Sequence, residues 1–396
     1  MFLLKQKIKT YLLSFLFILF IFHDYLQSVF SFFSYFDEII SLAGIIFLVC
    51  FILLKKISKN CWILFMLFLL FAFLLIFPTV IFHIQPYKAA IVDLFLLFKF
   101  FFSIIFGIYV ISLFKNNETI ERTLLFSSKL CVVVFIFYFL YSILFKESLY
   151  DIINLEPIKL FYSEPLILIS NSVVLISVFL MFYKKKNLFW IFVLVFFMLL
   201  TFKTKAYLAT LIVLLILISK KIVINKALLV FVAIVGIIFI SYDQVMFYFV
   251  NNTHFARAQL LIKSFAIAND FFPFGAGLAT YGSYQSQVYY SPLYHMYGLD
   301  TIYGLSMDTK FFISDSFWPM ILGEAGYFGV FVYLLILISL YKFILKIDNK
   351  RIKTSLILLL GYLLIASTNE AAFVHYYSIP MGFLIGIGIK DVLIKR

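Results

Sequence analysis

The sequence predicts an all-α fold, a polytopic bundle of about twelve transmembrane helices with one long external loop. Three observations predict it. The chain is 65% hydrophobic and 13% charged, where a soluble domain is roughly half apolar and a quarter charged. Apolar runs of about 18 or more residues recur from end to end, each long enough to cross a bilayer. Basic residues cluster at alternate ends of these runs.

Each run reads as a helix, because in lipid every backbone polar group must be paired within its own segment. The alternative is a β-barrel, whose strands alternate apolar and polar residues. The stretch 61–82, CWILFMLFLLFAFLLIFPTVIF, does not alternate. Predicted spans fall at roughly 11–30, 36–54, 61–82, 89–113, 124–145, 163–183, 188–202, 206–219, 226–245, 317–341, 354–372 and 377–394. The chain thus divides into 1–245 (spans one to nine), 246–316 (the long external loop) and 317–396 (spans ten to twelve). The first run follows Lys5, Lys7 and Lys9 as a signal peptide would, but lacks a small-residue cleavage site, so a retained span is expected. Cys50, Cys61 and Cys131 lie in or beside spans at spacings that form neither a metal site nor a disulfide framework.

Net charge is +13, and its placement excludes a nucleic-acid footprint. The clusters are Lys5, Lys7 and Lys9; Lys55, Lys56 and Lys59; Lys115, Arg122 and Lys129; Lys184 to Lys186; Lys220, Lys221 and Lys226; Lys342 to Lys353; and Lys390, Lys395 and Arg396. All fall on one side of the predicted map. The positive-inside rule makes that side cytoplasmic, with both termini there and the long loop outside. The basic excess then faces anionic lipid.

Residues 187–219 test this map. One span would put Lys184–Lys186 and Lys220–Lys221 on opposite sides; a hairpin keeps both inside. Its arms would each rise only about 22 Å, short of a hydrocarbon core of about 30 Å. The tip, Phe202-Lys203-Thr204-Lys205, is therefore expected below the external surface. Lysines there either snorkel to the interface or face a polar cavity or an anion.

The loop carries Tyr281, Tyr284, Tyr289, Tyr290, Tyr294, Tyr297 and Tyr303 among its glycines. Tyrosine offers a flat apolar face with a hydroxyl, suited to sugar rings, and equally to an interfacial aromatic belt. Arg257 is the one arginine off the cytoplasmic side. A guanidinium fork binds phosphate in two-pronged fashion; a solvated surface charge is the plainer reading. Asn251-Asn252-Thr253 matches a glycosylation sequon, a short pattern of little weight.

His254-Phe255-Ala256-Arg257 is followed by Phe272-Pro273-Phe274-Gly275-Ala276-Gly277, and later by Ser314-Asp315-Ser316 and Glu324-Ala325-Gly326-Tyr327-Phe328-Gly329. This order of an arginine, a PFG-x-G run, then a polar pair opening a helix with E-x-G-x-x-G resembles the O-antigen polymerase and ligase superfamily. Tyr162-Ser163-Glu164-Pro165 and Thr201 to Lys205 resemble that family's outer-face positions. The detailed match covers about a quarter of the chain. It implies a GT-C-like glycosyltransferase whose donor is an oligosaccharide on undecaprenyl diphosphate, in the bacterial inner membrane. It also implies work alongside a flippase and a chain-length regulator. The ligases carry His-Asn where this chain has Asp315-Ser316, which favours an O-antigen or capsular polysaccharide polymerase over a ligase.

A departing diphosphate needs cationic stabilisation, for which Arg257, Lys203 and Lys205 are the candidates; no cofactor and no metal are expected. The acceptor hydroxyl needs a base: Asp315, Glu164, His254 or Glu370. For Asp315 and Glu164, capping of the following helices is the competing reading. Tyr281, Tyr284 and Glu324 are the candidate sugar-binding residues, with Glu324 alternatively a polar anchor in the bundle. His23, Asp93 and Lys99 are expected to pair with other helices. Intramembrane charges also fit a transporter or flippase, against which stand the missing repeat of halves and the single long loop.

Overall fold

The computed structural model describes residues 2–53, 58–114, 116–145, 156–219, 246 and 254–393. Predicted span 226–245 and the sequon at 251–253 lie outside them. Among the described residues the fold is α-helical with no strand. We number the helices α1 (Phe2–Val29), α2 (Phe36–Leu53), α3 (Lys59–Phe82), α4 (Tyr87–Ser112), α5 (Asn117–Phe145), α6 (Pro165–Met181), α7 (Leu188–Leu199), α8 (Thr204–Ser219), α9 (Ala256–Asp270), α10 (Tyr284–Val288), α11 (Leu293–Met296), α12 (Phe317–Leu345), α13 (Lys350–Ala366) and α14 (Ser378–Leu393).

Among the described residues, six segments are long and apolar enough to cross a membrane: Gln6–Val29, Ser31–Leu53, Trp62–Phe82, Tyr87–Ser112, Asn117–Phe145 and Phe317–Leu345. The remaining long helices are shorter, and two of them, Pro165–Met181 and Thr204–Ile218, are predominantly apolar. Large apolar side chains such as Leu53, Ile91, Phe137, Leu144 and Phe331 stand exposed around the bundle. Such a girdle needs a lipid or detergent cover. Inside it, α6 is buried at every residue from Ile167 to Met181, polar ones included: Ser170 Oγ meets the Tyr362 hydroxyl at 2.7 Å and Asn171 donates to the Ile21 carbonyl at 3.0 Å, as buried polar groups must.

Glycine sets the closest helix approach. Helix α14 lies against α4, where a Cβ at Gly386 would strike the Ile104 carbonyl and one at Gly107 the Phe383 carbonyl. Backbones approach this closely only over small residues. Gly382 also faces α4, and Gly388 faces Ile352 and Leu356 of α13.

The two glycine motifs form one structural unit. Helix α12 breaks at Gly326, whose φ of 64° and ψ of −169° are open essentially only to glycine. The carbonyls freed at the break accept from the PFG-x-G turn: Ala276 N–H donates to Gly323 O and Gly277 N–H to Glu324 O, both at 2.9 Å. The next amides also find partners. Leu278 N–H donates to Thr79 Oγ1, Ala279 N–H to Asp93 Oδ2 and Tyr281 N–H to Glu324 Oε1. These bonds account for the irregular backbone the motif creates. A Cβ at Gly326 would also sit 2.7 Å from the Pro273 carbonyl oxygen. Gly326→Ala should therefore lose at least about 2 kcal/mol, read as a drop of several degrees in the unfolding midpoint in detergent. Gly361→Ala is the control. A Cβ there meets nothing within 4 Å, and the change should hold or raise the midpoint.

The long polar segment is more than a loop. Its described part, 254–316, contains α9, α10 and α11 and a core of its own that includes Leu260, Ile267, Tyr281, Tyr294 and Leu299. The signal lay in Ala256, Leu260, Ser264 and Ile267, which repeat at helical spacing and are all buried. Glycine and proline richness obscured it.

Candidate functional site

Most of the site residues expected from sequence come together at one end of the bundle. Glu164, Lys203, Lys205, Arg257, Asp315 and Glu370 line a cavity of about 580 Å³. They arrive from five separate places in the chain, each at a helix terminus or the turn beside it. Glu164 holds the N-cap position of α6, ahead of Pro165, and makes no side-chain cap bond. Its neighbour Ser163 is bound instead to Asp24 through both N–H and Oγ. Lys203 sits on the turn between α7 and α8, where Phe202 takes a φ of 49°, and Lys205 stands in the first turn of α8. Arg257 stands in the first turn of α9. Asp315 precedes the N-cap of α12, and Glu370 follows the end of α13.

Capping therefore explains neither candidate acid. Ser316 is the N-cap of α12 and makes no side-chain cap bond, while Ser314 Oγ donates to Gln287 Oε1. Asp315 turns to Arg257, accepting from Nη2 at 3.0 Å. The second pair is Lys205 Nζ with Glu370 Oε1 at 2.9 Å.

The pairs differ in setting. Arg257 and Asp315 side chains are 33% and 30% exposed, so water screens them and the pair itself adds at most about 1 kcal/mol to stability. Lys205 and Glu370 are 14% and 13% exposed. Removing one partner of so buried a pair leaves an uncompensated charge, at a cost of several kcal/mol. The lysine turn thus has its inner charge fixed, while Lys203 is exposed at the cavity wall. Of the hairpin arms expected from sequence, α7 has 12 residues and α8 has 16 among the described residues.

His254 is exposed and lines a neighbouring cavity of about 390 Å³ that shares Arg257 and Phe312 with the first. Two expected sugar contacts are corrected by the geometry. Tyr281 is fully buried, and its hydroxyl donates to the Leu260 carbonyl at 2.6 Å. Glu324 is likewise 0% exposed and binds the Tyr281 amide. Both hold the broken helix against the glycine turn, and neither reaches a cavity surface. Tyr284 is exposed, on a different cavity. Sequence reasoning overlooked Phe311, Phe312 and Asn369 in the wall, since isolated aromatics and an amide carry no motif. The expected partners of the intramembrane charges are present, with Lys99 bonded to Asp37 at 2.6 Å.

No protein family, curated protein or solved structure matches this chain.

Proposed function

We propose that this protein is a membrane glycosyltransferase that polymerises undecaprenyl-diphosphate-linked oligosaccharide repeats into a surface polysaccharide. The observation that carries the reading is the cavity in which Arg257, Lys203 and Lys205 face Asp315 and Glu164. Three cations and nearby carboxylates in one pocket suit a reaction that expels a diphosphate while accepting a proton.

In the resting arrangement Asp315 occupies Arg257. An incoming diphosphate offers the guanidinium a stronger, two-pronged partner. Arg257 turns to the phosphate, and the Asp315 carboxylate is released to accept from the acceptor hydroxyl. That hydroxyl oxygen bonds to the anomeric carbon of the donor's first sugar. The carbon–oxygen bond to the diphosphate breaks, undecaprenyl diphosphate leaves with the electron pair, and the proton passes to Asp315. A single displacement inverts the anomeric configuration. Lys203 supplies further positive charge, and Glu370 holds Lys205 in place.

The reading places twelve spans in a GT-C-like bundle in the bacterial inner membrane. Both termini are cytoplasmic and the cavity opens on the outer face, beside a flippase and a chain-length regulator. Deleting the gene in its bacterial host and resolving the surface polysaccharide on gels tests it. Surface chains should shorten to single repeats. Loss of all surface saccharide would indicate a flippase and contradict the proposal.

A further inference from the structure

A second polar cavity, of about 400 Å³, lies across a thin wall from the first. The wall is built of two short segments. Ser314 and His375 face the second cavity, while the nearby Asp315 and Glu370 face the first. Its interior sits between helices, where polar groups are costly unless they serve a ligand or one another.

The charges on its walls do not cancel. Asp37 is neutralised by Lys99 at 2.6 Å, with both side chains at most 10% exposed. Asp93 accepts from the Ala279 amide. Glu38, beside Asp37 in the first turn of α2, has no ion pair or hydrogen bond among the described residues. His23 is 4% exposed. Its Nε2 meets the Phe33 carbonyl at 2.9 Å, which makes Nε2 the protonated nitrogen and leaves Nδ1 an acceptor. That Nδ1 has no partner. Tyr284, exposed at the rim, adds a flat aromatic face. The cavity is therefore rich in acceptors, carries a net negative charge and has an aromatic edge. Among the described residues no three acids, histidines or cysteines are placed to share a metal ion.

We propose that this second cavity binds a saccharide segment that is uncharged or amine-bearing and rejects saccharides carrying carboxylate or phosphate. Glu38 accepts hydroxyl or ammonium hydrogens, Tyr284 stacks on a ring, and the uncompensated carboxylate repels anions. The first cavity differs, its three carboxylates being matched by the cations Lys203, Lys205 and Arg257. The inference rests on the proposed function for the saccharide and for its identity as the acceptor end of a repeat; the preference for hydroxyl and ammonium donors over anions follows from the cavity itself.

The test is titration calorimetry on the full chain in detergent, with a chitosan tetramer and an oligogalacturonate tetramer as probes. The chitosan tetramer should bind at least tenfold more tightly. Glu38→Gln should weaken it by tenfold or more while leaving the melting temperature unchanged, and Tyr284→Ala should weaken it several-fold. Binding of the two tetramers with equal affinity, absence of chitosan binding, or a Glu38→Gln variant that binds as wild type would overturn the proposal. Arg257→Ala should leave chitosan binding intact, so failure of the polymerase reading stays distinguishable from failure of this one.

Discussion

Arg257→Ala is expected to abolish chain extension while leaving the protein folded. Both halves follow from magnitudes. The Arg257–Asp315 pair is one-third exposed, so losing it costs the fold little. A preorganised donor aimed at developing charge is worth about a hundred- to a thousandfold in rate. Arg257→Lys should recover only part of that, because an ammonium is a point charge without the planar fork. The measurement is polymer length and rate at matched protein levels, with a melting curve in detergent as the folding control. An alanine variant of normal activity would remove Arg257 from the site.

Asp315→Asn separates chemistry from structure at the residue assigned as base. Asparagine retains an oxygen that can accept from Arg257 and is nearly the same size, but it cannot take the proton. Loss of a general base costs about a hundred- to ten-thousandfold. The variant should express normally, keep its melting temperature, bind donor as wild type and make no long polymer. Since Asp315 makes no cap bond to α12, a helix-capping account does not predict this loss. Near-normal polymer from the variant would pass the role to Glu164, which lines the same cavity, or to His254 beside it.

The helices were legible because apolar runs report directly on lipid exposure. Predicted spans such as 36–54 and 61–82 coincide closely with α2 and α3. The clustering of charges in the candidate site was legible for a related reason: a charge such as Lys203 or Lys205 interrupting an apolar segment demands a partner, and the short hairpin arms placed that charge near one end of the bundle. Which partner it finds was not legible. Lys205 with Glu370, Lys99 with Asp37 and Arg257 with Asp315 join residues far apart in the chain, and no local pattern encodes such pairs. The glycine motifs misled in an instructive way. They pointed to the site, yet Gly275, Gly277 and Gly326 serve to dock a turn into a broken helix. Glu324 and Tyr281, read as sugar contacts, are the polar and aromatic parts of that joint.

The most direct test of the central claim is reconstitution. The purified protein, in liposomes supplied with undecaprenyl-diphosphate-linked repeat units and no other protein, should convert single repeats into a ladder of products spaced by one repeat. Each transfer should release undecaprenyl diphosphate, and Arg257→Ala and Asp315→Asn should yield no ladder. Repeats that stay single, or cross the bilayer without being joined, would contradict the account.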